Sequence, residues 1–273
     1  MKIGIIGTGN MGKIMIEALV ESEAISPSQL YITNRSIHKA KNIQKDIPLI
    51  TVCKSISDTI QMADLLFLCV KPVDMFPILF KHRHLFSNNK CLVSITSPVS
   101  VKQLESIVDC SCARMIPSIT NRVLAGVSLL SFGENCSTNW KLTLTSLADN
   151  ISIPVEIEEE ITRVASDIVS CGPAFFSYIT QRFIDGAVEE TKISQQQATL
   201  LASQMLVGLG DLLKKNVYTL PSLQEKVCVK GGVTGEGITV LEREIGDMFN
   251  QLFQATHKKF KEDVQETNKQ FNA

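Results

Sequence analysis

The sequence predicts an α/β protein in two parts. An N-terminal doubly wound, mainly parallel sheet spans residues 1–157, and an all-helical dimerisation domain spans residues 158–273. Three observations carry that expectation. Short β-branched runs alternate with amphipathic helical stretches through the first half, the pattern of strands joined by crossover helices. Strand signals then stop at about residue 158. Finally, Gly7-Thr8-Gly9-Asn10-Met11-Gly12 follows the first strand and opens the first helix.

Ile3–Ile6 is apolar without alternation, as befits a strand covered on both faces. Met11, Ile14, Met15, Ala18 and Leu19 then recur at helical spacing. Leu30–Thr33 reads as a second strand, followed by a helical stretch from Ile37. Leu65–Val70 is the most hydrophobic run of this half, bounded by Asp64 and Lys71-Pro72. Further strands are expected at Leu92–Ile95, Ala113–Ile116, Val127–Leu130 and Ile151–Ile157.

Beyond these, Ile161–Glu190 reads as one long helix interrupted at Gly172-Pro173, since proline lacks a backbone donor. Ser194-Gln195-Gln196-Gln197 is a capping box opening a helix to about Lys214. In that helix Leu200, Leu201, Met205, Leu206, Leu209, Leu212 and Leu213 spread around much of the circumference. A helix so apolar is buried on more than one side, which a helical domain of this size rarely achieves alone. A homodimer through this domain is therefore expected. A closing helix carries Val240, Leu241, Ile245, Met248, Phe249, Leu252 and Phe253 on its inner face.

The bulk properties exclude several classes. Net charge is −1 and no basic face appears, so neither nucleic acid nor an anionic membrane is an expected partner. Lys258-Lys259-Phe260-Lys261 sits among acids and reads as a solvated helix end. No apolar run approaches the length of a membrane span, and Met1-Lys2 leads straight into strand. The eight cysteines are scattered. Cys53, Cys69, Cys91 and Cys228 lie in apolar runs, and Cys110-Ser111-Cys112 lacks a second pair or a histidine to form a zinc set. They read as reduced thiols of a cytoplasmic protein without a metal. His38, His82, His84 and His257 have no nucleophile or carboxylate partner in view and are expected at the surface.

The glycine motif gains meaning from its place between strand and helix. Gly7 permits the tight turn, Gly9 lets the backbone approach a pyrophosphate, and Gly12 allows the helix to pack on the sheet. With Thr8, Asn10 and Met11 these residues form an expected Rossmann-type dinucleotide site. The second strand ends Ile32-Thr33-Asn34-Arg35-Ser36, with no acid to accept from a ribose 2′-hydroxyl. Arg35 can pair with a 2′-phosphate, while Asn34 and Ser36 can donate to it, so NADP(H) is expected over NAD(H). A second glycine-rich turn, Lys230-Gly231-Gly232-Val233-Thr234-Gly235-Glu236-Gly237, precedes a helix. Its successive N–H groups and the Thr234 hydroxyl could form a nest for a carboxylate.

Over essentially its whole length the chain resembles the pyrroline-5-carboxylate reductase family. The matching pieces are Ile6–Gly12, Phe67-Leu68-Cys69-Val70-Lys71-Pro72, Arg114-Met115-Ile116-Pro117, Cys171-Gly172-Pro173-Ala174, Asp185-Gly186, Gly231–Thr234 and Val240-Leu241-Glu242. The resemblance implies reduction of a cyclic imine to proline with NAD(P)H, and helical domains interlocked into dimers that often assemble further. It places Gly232, Val233 and Thr234 on the substrate carboxylate, with Thr234 close to the ring as the catalytic candidate. Gly231, Gln181 and Pro173 complete the implied substrate site, and Val70, Lys71, Pro72, Met115 and Pro117 border the nicotinamide. Hydride transfer to an iminium carbon needs no protein nucleophile or metal, because the cofactor supplies the hydride.

The departures from the family pattern cluster around the implied substrate pocket. Ile116-Pro117-Ser118-Ile119-Thr120 replaces Met-Pro-Asn-Thr-Pro, and Val169-Ser170-Cys171 replaces Ser-Gly-Ser before Gly172. Val229-Lys230-Gly231-Gly232-Val233-Thr234 replaces Ser-Pro-Gly-Gly-Thr-Thr. Thr96-Ser97-Pro98 replaces a small Ala-Ala-Gly stretch, and Gln181 stands where many members carry glutamate. Two expectations follow. One is NADPH-dependent reduction of pyrroline-5-carboxylate or a similar cyclic imino acid. The other is a divergent NADP(H)-binding paralogue acting as a regulator or interaction protein, like the reductase-like branch encoded with bacterial competence genes. Hydroxyacid dehydrogenase relatives use a helix-borne lysine, and none occurs between Cys171 and Val188.

Overall fold

The computed structural model describes residues 1–271. β1 (Ile3–Ile6) leads into α1 (Asn10–Glu21), followed by β2 (Leu30–Thr33), α2 (Ile37–Asp46), β3 (Thr51–Val52) and α3 (Ile56–Met62). Next come β4 (Leu65–Leu68), α4 (Pro72–His82), β5 (Cys91–Ser94), α5 (Val101–Glu105) and β6 (Ser111–Ile116). β7 (Val127–Phe132), α6 (Thr138–Ile151) and β8 (Ile153–Glu156) complete an eight-stranded sheet in the order β3-β2-β1-β4-β5-β6-β7-β8. Every neighbouring pair is parallel except β6–β7. This is the doubly wound α/β fold expected, with one antiparallel pair.

Successive residues of a strand point to opposite faces, and the core divides accordingly. Ile3 and Ile5 pack with Phe67, Val93 and the α1 residues Met15 and Leu19 on one face. Ile6 joins Leu66, Leu68 and Leu92 with Ile60 of α3 and Leu79 of α4 on the other. Two features escape a periodicity reading because they are short: β3 has two residues, and α3 has seven. Ser55 starts α3 by accepting from the Asp58 N–H at 3.0 Å, a cap that satisfies one orphan donor. Ile151 ends α6 rather than starting β8. On that edge strand Pro154 removes an outward N–H, which blunts the edge against further pairing.

The order of strands reverses between β2 and β4, on either side of β1. Ile6 lies opposite Thr33 on one side and Leu68 on the other. The glycine turn therefore leaves the sheet at a topological switch point, at the carboxyl ends of the strands, where open α/β sheets bind ligands.

Two compact units divide the chain. The first comprises residues 1–173 and the chain from residue 255; the second comprises 174–254. The last strand ends at Glu156, and the first unit continues past it to residue 173, where a buried charge holds the chain after the strand. Arg114 on β6 is fully buried and needs partners. Glu159 supplies a bidentate pair at 3.1 and 2.9 Å, and Thr162 at the start of α7 (Thr162–Ser166) accepts at 2.6 Å. These bonds tie residues 159–162 to the sheet.

A single π-helical turn, Asp167–Cys171, joins α7 to α8 (Gly172–Glu190) at the expected interruption. Pro173 cannot donate to the carbonyl four residues earlier, and Ser118 Oγ donates to that Val169 oxygen instead, at 2.8 Å. α9 (Gln195–Lys214), α10 (Leu220–Val227), α11 (Val233–Ile245) and α12 (Met248–Phe271) follow, with the Ser194–Gln197 capping box formed as read.

The expected single closing helix is two. Gly246, at φ +45°, turns the chain between α11 and α12 through backbone that glycine tolerates best. Val240, Leu241 and Met248 are exposed in the single chain rather than forming an inner face. The same holds for Leu200, Leu201, Met205 and Leu206 on α9. Among the described residues of the second unit, only Ile184, Ala198 and Ala202 are buried hydrophobics. Unit 2 thus leaves most of its apolar side chains uncovered in the single chain.

His82 departs from the surface placement expected: it is buried, with Nδ1 2.8 Å from the Ile78 carbonyl. Among the described residues no helix is long and apolar enough to cross a membrane.

Removing the Glu159 carboxylate while Arg114 stays buried leaves part of a guanidinium unpaired. Glu159→Ala is expected to lower unfolding stability by about 2 kcal/mol, reduced from the fully buried case because Glu159 is half exposed. Glu156→Ala on the edge strand is the control. Equal denaturation midpoints for the two variants would remove the pair from the account of stability.

Candidate cofactor site and the helical-domain loop

The three glycines of the first turn have different reasons for being glycine. Gly7 has φ +101°, and a Cβ there would lie 2.3 Å from the Cys69 carbonyl oxygen. At Gly12 a Cβ would meet the Gly7 oxygen at 2.1 Å. The fold itself demands both. Gly9 is unlike them: its φ is −74°, and an added Cβ would have nothing within 4 Å. No atom of the protein requires glycine at this position. Gly9 is the N-cap of α1, without a side-chain cap and without an acid in the first helical turn. The unpaired N–H groups of that turn, with the positive end of the helix dipole, suit an anion. A side chain at position 9 would fill the space an approaching pyrophosphate needs, so these residues fit a dinucleotide.

At the end of β2 the structure separates residues that the sequence groups together. Asn34 accepts from the Thr8 N–H through Oδ1 at 3.0 Å and donates from Nδ2 to the Ser36 carbonyl at 3.1 Å. Arg35 is exposed and Ser36 is half-buried, and Ser36 makes no side-chain cap bond to α2. A cavity of 190 Å³ is lined by Thr8 of the turn, Lys13 of α1 and the α2 residues Lys39, Asn42, Ile43 and Asp46. Lys39 was not singled out by the sequence motif, yet it stands one turn beyond Arg35 as an exposed cation. Its signal was weak because lysines on helices are common.

The β4 end adjoins the turn. The Cys69 N–H donates to the Ile6 carbonyl at 2.8 Å, and Val70 Cγ1 would lie 3.1 Å from a Cβ on Gly7. Burial pushes the Cys69 thiol up to about 12, so it stays protonated at neutral pH. Lys71 is the exposed N-cap of α4 and Pro72 its first residue, where a missing N–H costs nothing. Asn10 is exposed and Met11 half-buried at the start of α1. Met115 and Pro117 differ from these residues. Met115 is fully buried in the core, and Pro117 is buried with its carbonyl accepting from Ser170 Oγ at 2.9 Å.

A polar network missed by the sequence reading surrounds the loop after β5. Arg114 Nη1 donates to the Ser97 carbonyl, and Arg163 Nη1 to Ser97 Oγ, both at 3.3 Å. Arg163 also pairs with the buried Asp167 at 2.9 Å, and Thr256 Oγ1 donates to Asp167 at 2.7 Å. Burial raises the Cys171 thiol, with Arg163 opposing that shift. An arginine inside an apolar strand run was the available signal, since a buried charge must find partners.

In the second unit, Gly231 has φ +74°, and the Gly232 N–H donates to the Val229 carbonyl at 2.9 Å. Gly232 is the uncapped N-cap of α11. The donors left for an anion are therefore those of the first helical turn, from Val233, Thr234 and Gly235, rather than a run including Gly232. Val233 is 89% exposed and Thr234 half-buried. Gln181 is exposed and donates to Asp185 one turn on, at 2.8 Å. Pro173 is half-buried in the first unit.

Known proteins match this arrangement over its full length. Residues 159–263 fit the family model described as Pyrroline-5-carboxylate reductase dimerisation, and residues 2–98 that described as NADP oxidoreductase coenzyme F420-dependent. The chain is 54% identical over 272 residues to ComE operon protein 4 of Bacillus subtilis, covering 100% of both. It is 27% identical to Pyrroline-5-carboxylate reductase 3 of the same organism, covering 98% of this chain and 99% of the relative. The NADP-bound pyrroline carboxylate reductase of Plasmodium falciparum superimposes with a TM-score of 0.82 at 21% identity, over 97% of this chain and 98% of that one. The fold and its glycine turn define the class: a protein with the pyridine-nucleotide-dependent oxidoreductase fold. Within it, the chain belongs to the pyrroline-5-carboxylate reductase family, as a divergent member.

Gly9→Val tests the turn. Because position 9 has ordinary backbone and open space, the melting temperature is expected to stay within about 2 °C of wild type. NADPH affinity is expected to fall at least about tenfold, since binding loses the close backbone approach. Wild-type affinity in a folded G9V protein would move the pyrophosphate elsewhere.

Proposed function

We propose that the protein is an NADPH-dependent reductase of pyrroline-5-carboxylate, or of a similarly small cyclic imino acid, yielding proline or its analogue. The observation that carries this reading is Gly9, whose open cradle at an uncapped helix N-terminus answers to a pyrophosphate. NADP(H) over NAD(H) is supported by the segment after β2, where Arg35 and Ser36, with Lys39 in the first turn of α2, stand in a stretch (residues 34–39) that has no acid. The reduction adds a hydride to the C=N carbon and a proton to its nitrogen. Bound NADPH supplies the hydride, and the protein orients the ring and holds its carboxylate.

For the substrate, the first-turn N–H groups of Val233, Thr234 and Gly235 and the Thr234 hydroxyl hold the carboxylate, with Gly232 as the N-cap before them and Thr234 nearest the ring. The family resemblance adds Gly231, Gln181 and Pro173 to the substrate set, and Val70, Lys71, Pro72 and Pro117 to the nicotinamide set. Residues 1–157 carry the cofactor and residues 158–273 the substrate loop and dimer contact, in a cytoplasmic homodimer able to assemble further. The exposed apolar side chains of α9 support that dimer.

A second reading is favoured by one finding: the relative sharing 54% of its residues bears an operon name rather than a reductase name. In it the protein binds NADP(H) and regulates or docks with a partner. The substitutions at Val233, Lys230 and Gln181 fit a weakened imine site, because they remove a hydroxyl, add a cation and neutralise an acid.

Steady-state NADPH oxidation with pyrroline-5-carboxylate, beside an NADPH binding titration, separates the two. Turnover within about 1–10³ s⁻¹ is expected of the reductase; tight NADPH binding with negligible turnover leaves only the second reading. Thr234→Ala is expected to raise KM for the imino acid about tenfold, by loss of one charge-assisted hydrogen bond. An unchanged KM removes Thr234 from the carboxylate site. Leu201→Glu is expected to convert a dimer to monomer in light scattering, and a dimer that survives it places the interface off α9.

A further inference from the structure

The loop after β2 contains a side chain occupied with the pyrophosphate turn rather than with solvent. Asn34 Oδ1 accepts the Thr8 N–H at 3.0 Å, and Nδ2 donates to the Ser36 carbonyl at 3.1 Å. Thr8 stands between the two glycines that shape the turn and is only 5% exposed. Among the described residues its N–H has no backbone partner, so Asn34 is what satisfies it; an unpaired buried donor is costly. A second bond holds the turn to β2, from the Gly7 N–H to the Thr33 carbonyl at 2.9 Å. The carboxamide is planar, so its two bonds fix each other's direction.

We infer that Asn34 is a positioning residue, latching the pyrophosphate turn to the end of β2, and that it governs binding of both nicotinamide cofactors alike. The inference rests on the cofactor reading above and changes the part Asn34 plays in it. A residue donating to the 2′-phosphate distinguishes NADPH from NADH. A residue holding the Gly7–Gly9 turn does not, because the pyrophosphate is common to both. Discrimination then falls to Arg35, Ser36 and Lys39. Arg35 and Lys39 are exposed and form no ion pair among the described residues.

Two substitutions separate the roles. Asn34→Ala deletes the acceptor for Thr8 and lets the turn shift. Asn34→Asp keeps that acceptor, loses the donor to Ser36 and sets a negative charge beside the 2′ position.

The test is titration of the full-length protein with NADPH and with NADH, monitored by nicotinamide fluorescence, for wild type, N34A, N34D and R35A. Thermal melting of each variant reports folding. N34A is expected to weaken both nucleotides about tenfold, the factor for an unpaired buried donor, with their affinity ratio unchanged within about twofold. R35A is expected to weaken NADPH alone. N34D is expected to keep NADH within about threefold of wild type while NADPH falls at least tenfold, from repulsion of the 2′-phosphate. A folded N34A that loses NADPH affinity alone, or neither, overturns the inference and returns Asn34 to the phosphate. Should N34A fail to fold, N34S, whose shorter side chain gives up the bonds to both Thr8 and Ser36 without adding charge, is titrated in its place and read by the same ratio: loss of NADPH alone, or of neither nucleotide, overturns it. Wild-type protein that binds neither nucleotide would overturn the cofactor reading and the inference together, a result distinct from all of these.

Discussion

A methyl group at Gly12 would sit 2.1 Å from the carbonyl oxygen of Gly7, and one at Gly7 would sit 2.3 Å from that of Cys69. The centre of the molecule is built on that close approach of three backbone segments: the end of β1, the start of α1 and the end of β4. It lets α1 lie against the sheet at the switch point, with Ile14, Met15, Ala18 and Leu19 buried. It also leaves the helix N-terminus facing outward with its N–H groups unclaimed. Stability and binding are therefore coupled at Gly7 and Gly12 but separable at Gly9. That glycine answers only to what approaches from outside.

Charge organises β6, where Arg114 lies in the same carboxyl-end row of the parallel strands as Ile6. Arg114 is set inside β6 with no exposed surface, and it recruits Glu159, Thr162, Ser131 and the Ser97 carbonyl. Breaking such a set is costly because a buried guanidinium cannot regain water. The segment after the last strand is held to the sheet in consequence. The C-terminal helix is drawn in as well: Asn268 accepts from Gln103 at 2.8 Å, and Phe271 packs edge-on against Phe76 at 5.2 Å. The loop after β5, where Thr96-Ser97-Pro98 departs from the family pattern, is thereby buttressed by two arginines.

The helical unit follows a different economy. Its residues carry the apolar periodicity of core helices, yet the single chain buries few of them. Phe176, Tyr178, Phe183, Leu200 and Leu201 each keep more than 60% of their surface exposed. Exposed apolar area on this scale marks an interaction surface, and the matching family model is described by its dimerisation.

The sequence by itself determined the elements whose signals are local. The apolar strands, the glycine turn, the capping boxes and the interruption at Gly172-Pro173 depend on spacing and on single-residue stereochemistry, and both can be read along a chain. The family was legible for the same reason, because its motifs are short and ordered. Only the tertiary structure decided what depends on residues distant in sequence. It parted Gly9 from Gly7 and Gly12 by showing which Cβ atoms would clash. It turned Asn34 inward to Thr8, 26 positions away, although its neighbours Arg35 and Ser36 carry no such bond. It buried Met115 and His82, paired Arg114 with Glu159, and broke the closing helix at Gly246. Each outcome turns on which partner lies across the fold, and hydrogen bonds and steric contacts act through space rather than along the chain.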